Sequence, residues 1–175
     1  MAEAVRGRTD RQVVRVGIDH FKRLVARRTA YPQDSPESYY LDSWDHTAIR
    51  DLLLRPLGPG GDRRYRDAVA DLPARAAVDG PWHVAADNAV LLADGVFLQR
   101  PELDPWWDLR IWVDIGFDEV LRRGIARDQR WMGSAAEAER RYRTRQPFGC
   151  LSTTGSRLVA CPPARLTGVV GQLAS

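Results

Sequence analysis

Three acids stand where the character of the chain changes. Asp19 follows the β-branched run Q-V-V-R-V-G-I over 12–18, and Asp45 precedes a stretch of helical periodicity. Asp94 closes the apolar part of N-A-V-L-L-A-D-G-V-F-L, from Asn88 to Leu98. Arg123 and Arg127 are four apart, hence on one face of a helix. One carboxylate to orient a hydroxyl, another beside a divalent cation and an arginine fork on the moving oxygens are what phosphoryl transfer requires. The same residues also have plainer uses: Asp-Gly ends a strand in a turn, acids cap helices, and exposed arginines solvate a surface. On the residues alone both readings stand.

The elements that must position these groups follow from periodicity. The run at 89–94 is apolar without alternation, which fits a strand covered on both faces, and a ligand site in an open α/β sheet lies at such a strand's carboxyl end. A strand over 12–18 ends at Asp19. Residues 47–57 carry Ile49, Leu52, Leu53 and Leu57 at helical spacing with Asp45 as N-cap, and P-L-G-P-G-G stops that helix. Residues 64–71 and 74–79 form a β-ribbon. A further strand spans 109–115, and helices span 117–127 and 135–145, the second highly charged and exposed. Trp106 and Trp107 read as a packing pair. The order describes an α/β fold, a parallel sheet flanked by helices with a small β insertion. The last thirty residues contain no Asp or Glu, and 146–175 reads as a divergent tail, loop or poorly ordered.

Composition narrows the class. The 175 residues, 44% of them hydrophobic, suffice for one domain with a real core. No apolar stretch is long enough for a bilayer and no secretory leader precedes the first strand, so no membrane partner and a cytoplasmic location are expected. Cys150 and Cys161 are the only cysteines, which excludes a disulfide scaffold. With His20, His46 and His83 they give no metal-ligand spacing. Lys22 is the sole lysine; a net charge of +3 with no basic run argues against a nucleic-acid partner.

Five segments in order, I-D-H-F (18–21), S-P-E-S-Y-Y-L-D-S-W-D (35–45), L-L-L-R-P-L-G-P-G-G-D-R-R-Y-R (52–66), V-L-L-A-D-G-V-F-L (90–98) and R-R-G-I-A-R-D (122–128), resemble the uridine kinase family of P-loop nucleoside kinases. The resemblance runs from about Arg11 to Arg145. It implies ATP-dependent phosphorylation of a nucleoside 5′-hydroxyl, with magnesium, on a P-loop NTPase-like sheet. Asp19 then corresponds to the base that takes the hydroxyl proton, and Asp45 to the acid on the sugar hydroxyls. Tyr65 and Arg75 join the substrate side through the ribbon. Asp94 corresponds to the acid near magnesium, and Arg123 and Arg127 to the arginines on the ATP phosphates. A homo-oligomer is left open.

The departures are as informative. No G-x-x-x-x-G-K-[ST] occurs, and Lys22 sits in H-F-K-R without a glycine-rich loop before it. Residues 1–145 are therefore expected to form an incomplete version of the fold, beginning at the family's second strand. Ala70 stands where uridine–cytidine kinase has an aromatic residue against the base. The acid-free ending has the look of a recombined or frameshifted end. Kinase chemistry is expected to be impaired, and the alternative is a non-catalytic remnant or nucleoside-binding module.

Overall fold

The computed structural model describes residues 2–33, 35–72, 74–113, 115–149 and 166–170. A short helix α1 (Ala2–Arg6) leads into strand β1 (Val13–Gly17), in which Val13, Val14 and Val16 are buried and Arg15 is exposed. The strand stops earlier than the β-branched run predicts. Ile18–Phe21 winds into a 3-10 turn, closed by the Lys22 N–H on the Asp19 carbonyl at 3.1 Å, so Asp19 sits on a turn beyond the strand.

After a second 3-10 turn (Val25–Arg27) and a π-helical turn (Ser38–Asp42), the predicted helix appears in three contiguous parts. These are α2 (His46–Ile49), a π-helical stretch (Arg50–Leu54) and α3 (Arg55–Leu57). Asp45 caps it as expected, its Oδ1 accepting from the Ala48 N–H at 2.9 Å. Ile49, Leu53, Leu54 and Leu57 face the core. Pro56 has no N–H to give to the carbonyl four residues back, that of Leu52. The Leu52 carbonyl instead accepts from the Arg66 N–H at 2.9 Å, which ties the helix to the ribbon that follows.

The ribbon is two antiparallel rungs rather than one long pair. Strand β2 (Arg64–Tyr65) and, farther out, β3 (Ala70–Asp71) and β4 (Ala76–Ala77) precede β5 (His83–Val84); β2 pairs with β5, and β3 with β4. Between the rungs a Cβ on Gly80 would stand 2.8 Å from the Ala68 carbonyl oxygen, a close approach that needs glycine.

Strand β6 (Val90–Asp94) pairs in parallel with β1, from Val13 opposite Val90 to Gly17 opposite Asp94. Its first four residues are buried and the two faces pack differently. Leu91 and Ala93 join Val14, Val16 and Ile18 in the main core, while Val90 and Leu92 meet Val13, Val5 of α1 and Ile111. An uninterrupted apolar run is what a strand covered on both faces needs. Trp107 is buried with its indole N–H on the Leu98 carbonyl at 2.7 Å, and Trp106 packs at the rim of the same core.

The remaining elements are β7 (Arg110–Val113), α4 (Phe117–Met132), α5 (Ala135–Gly149) and β8 (Leu166–Val170). The sheet order is β1-β6-β8-β7, with β8 antiparallel to both neighbours. This corrects the expectation of a parallel sheet: the strands read at 89–94 and 109–115 are not neighbours. They run the same way, but β8 stands between them and completes both backbone ladders. The segment read as a tail thus supplies the end of α5 and a central strand; 150–165 and 171–175, with both cysteines, lie outside the described residues. Helix α4 ends at Gly133, whose φ of 94° is left-handed. Its Phe117, Leu121 and Ile125 cluster with Tyr142 of α5, so among the described residues its apolar face is spent on α5.

Candidate functional site

The register that sets Asp94 opposite Gly17 brings the carboxyl ends of β1 and β6 together, and a cleft of about 460 Å³ opens there. Asp19, Asp94, Arg15, His20 and Asp67 supply its polar lining. The strand ends are close enough that a Cβ on Gly95 would lie 3.0 Å from the Ile18 Cβ. Asp94 Oδ1 is 3.3 Å from Arg15 Nε, and Asp19 Oδ1 is 3.0 Å from Lys22 Nζ, with each carboxylate side chain 52% exposed. Exposed pairs of this kind are weak, so both acids remain open to a ligand.

A second cleft, of about 350 Å³, adjoins the first across the Asp19–Lys22 pair. Lys22, Arg23 and Arg27 line it with Asp45 and Ala48 from the start of the helix, and Val69 and Ala77 from the ribbon close it. The Val69 N–H donates to the His20 carbonyl at 3.0 Å, so the turn that carries Asp19 also holds the ribbon over this cleft. Asp45 has one oxygen on the Ala48 N–H; the other is 4.0 Å from Arg23 Nε and can accept from a hydroxyl. Arg23 is pinned at its Nη1 by the buried Asp42, 2.8 Å away. Lys22 Nζ also lies 5.1 Å from the centre of the Trp44 ring.

The expected site residues divide into two groups. Asp19 and Asp94 face one cleft and Asp45 the next. Tyr65 and Arg75 line neither among the described residues. Tyr65 is buried with its ring 5.3 Å from that of His83, and burial, helped by the Asp67 charge, pushes its phenol up. Arg75 is exposed at the tip of the ribbon, with a φ of 51°.

Arg123 and Arg127 are also absent from the lining. Arg123 Nε is 2.5 Å from Glu119 Oε1, and Arg122 holds the same carboxylate at 2.7 Å. The hydrogen bonds from Arg122 and Arg123 hold that carboxyl at about 2. Arg127 makes a two-pronged bond to Asp128 at 2.6 and 2.9 Å and donates to the Tyr142 hydroxyl at 3.0 Å. Burial opposes the Asp128 charge, yet bonds from Arg127, Tyr142 and Trp131 outweigh it and hold the carboxyl at about 2. Burial first, then the bond to Asp128, pushes the Tyr142 phenol up to about 12. The bond to Asp128 is the main reason the Arg127 guanidinium is raised.

These facts bear on magnesium and ATP. Among the described residues no three His, Cys, Asp or Glu side chains converge as metal ligands. Asp94 faces Arg15, and the two arginines expected on the phosphates pair with acids of their own helix and line neither cleft. The described residues do not fit a magnesium–ATP cradle, and no step is derived through one.

Arg23, Arg27 and Asp67 line the clefts without having been singled out by the sequence. The spacing of Arg23 and Arg27 was a visible signal, but nothing local marks the face on which a distant ribbon will settle.

No protein-family model matches the chain, and no curated protein does. No described helix is long and apolar enough to cross a membrane. Among solved structures, the chain is similar to one described as a possible uridine kinase from Bacillus stearothermophilus. The TM-score is 0.55 at 19% identity, over 81% of this chain and 69% of that one. At that identity the likeness concerns the fold: this chain shares the mixed α/β fold of that protein over most of its length.

Proposed function

We propose that this chain is a uridine kinase-like protein that keeps the acceptor side of a nucleoside kinase and binds a hydroxyl-bearing ligand across its two clefts. The observation that carries this reading is the convergence of Asp19 and Asp94 on one cleft at the carboxyl ends of adjacent parallel strands. The free Asp45 oxygen accepts from ligand hydroxyls, and Asp19 lies beside the hydroxyl that the family phosphorylates. The family resemblance of the segments around these three acids, and the shared fold, support the assignment.

The ATP-dependent reaction itself is impaired in this reading. Phosphoryl transfer rests on positioning and charge stabilisation, and losing one well-placed oxyanion donor costs roughly a hundred- to a thousandfold. With Arg123 and Arg127 outside both clefts, the non-catalytic alternative is the favoured form of the proposal.

Titration with uridine, followed by amide chemical shifts, tests it. Binding in the millimolar range or tighter is expected, with shifts at Asp45, Ala48 and the Asp19 turn. Asp45→Asn, which keeps a capping side chain, should weaken it about tenfold. No saturable binding of uridine or of any ribose-containing ligand would overturn the reading. A coupled assay with magnesium and ATP should give no turnover; turnover abolished by Asp19→Asn would overturn the non-catalytic part.

A further inference from the structure

The cleft beneath the ribbon is richer in cations than a neutral nucleoside requires. Lys22, Arg23 and Arg27 line it against the single carboxylate of Asp45. Two of these cations are matched locally, Lys22 by Asp19 at 3.0 Å and Arg23 by the buried Asp42 at 2.8 Å. Arg27 is different. It stands on the 3-10 turn Val25–Arg27, exposed, and no described residue hydrogen-bonds or ion-pairs with its guanidinium. Around it Leu24, Ala48, Val69 and Ala77 contribute the apolar part of the wall. A guanidinium also offers a planar fork that suits a phosphate or carboxylate, and gains little from a neutral sugar.

Resting on the acceptor reading above, we infer that the ligand is an anionic polyol: hydroxyls meet Asp45, and an oxyanion, phosphomonoester or carboxylate, pairs with Arg27. Asp45 Oδ1 accepts from the helix cap, so the other carboxylate oxygen is the one for the hydroxyls while the arginine fork takes the charge. The two recognition elements line one cleft, which selects a small molecule carrying both functions.

Four probes on the full chain at about 50 mM salt, where exposed charges are weakly screened, decide the matter. They are uridine, uridine 3′-monophosphate, orotidine and inorganic phosphate, each titrated calorimetrically. The monophosphate and orotidine both keep the 5′-hydroxyl free and separate the phosphate source of the charge from the carboxylate source. At least one should bind about tenfold tighter than uridine, the value of a charge-assisted bond. In Arg27→Gln that ratio should collapse to about twofold or less, and Arg27→Lys should restore part of it. Equal affinity for uridine and both anions, or a ratio unchanged in Arg27→Gln, would overturn the inference and leave the acceptor reading intact. Inorganic phosphate binding as tightly as the nucleotide would also overturn it, as a mere anion patch. Failure of every ribose-containing probe would take the acceptor reading down with it.

Discussion

Arginine is used in opposite ways at the strand ends and in the α4–α5 hairpin. In the hairpin each acid–arginine pair is local: Arg122 and Arg123 on Glu119, Arg140 and Arg141 on Glu137, and Arg143 on Glu139. Arg127 and Asp128 add a part-buried bond shared with Tyr142. At the strand ends the partners come from far apart in sequence, as in Arg15 with Asp94 and Arg23 with Asp42, and Arg27 has no partner among the described residues. The hairpin pairs its charge within its own helices, whereas the clefts draw their pairs from across the fold. Residue type and helical spacing alone do not separate these cases, because the helix that puts two arginines on one face also puts an acid within reach of each, Glu119 for Arg123 and Asp128 for Arg127.

The sharpest way to break this comparison is Gly124→Ala. Alanine normally stabilises an exposed helix by about 1 kcal/mol over glycine. Here the new Cβ would fall 2.6 Å from the Tyr142 hydroxyl, so a loss of about 2–3 kcal/mol in urea unfolding is expected. A gain would mean that the hairpin is not closed on Tyr142.

On the cleft side, burial, with the charge of Arg100 adding to it, lowers His46 to about 4 from 6.5. Its folded state therefore resists a proton that the unfolded chain accepts. Its contribution is complete above pH 6.5 and is lost as pH falls to about 4, a decline on the order of 2 kcal/mol. His46→Gln should flatten that part of the stability profile, and an unchanged slope would remove His46 as its cause.

Asp128→Asn should cost about 1–2 kcal/mol at neutral pH, as a buried charge partner is lost. Because the carboxyl is depressed from 3.8 to about 2, the difference from the parent should persist above pH 4 and fade between 4 and 2. The smallest effect belongs to Glu119→Gln. Its carboxylate is held by exposed arginines, and the unfolding midpoint should not move measurably.

What was legible in the sequence was local. The Asp45 cap, the buried run of β6 and the Trp107 packing follow from composition within a few residues, and the structure contains each. The acids at the strand ends were legible because strand termini place side chains at a sheet's edge whatever the rest does. Strand β8 was not, since a short stretch of Leu, Thr, Gly and Val acquires meaning only from the register of two neighbours. Arg123 and Arg127 show the converse, a regular spacing that suited an anion clamp and served ion pairing. Arg27 could not be told from Arg28 until the ribbon set which side of the turn became a wall.

The bond left available by Pro56 reaches further than the helix it interrupts. Because the Leu52 carbonyl takes the Arg66 amide, that amide belongs to the helix as much as to the ribbon. Its hydrogen exchange should report opening of the 46–57 segment, in step with Leu53 and Leu54 and not with the ribbon's tip at Arg75. The roof of the cleft is then hinged to the element whose first turn carries Asp45. A ligand that quiets one end of that helix would slow solvent exchange at the ribbon's root, a long-range signature carried by one missing proton.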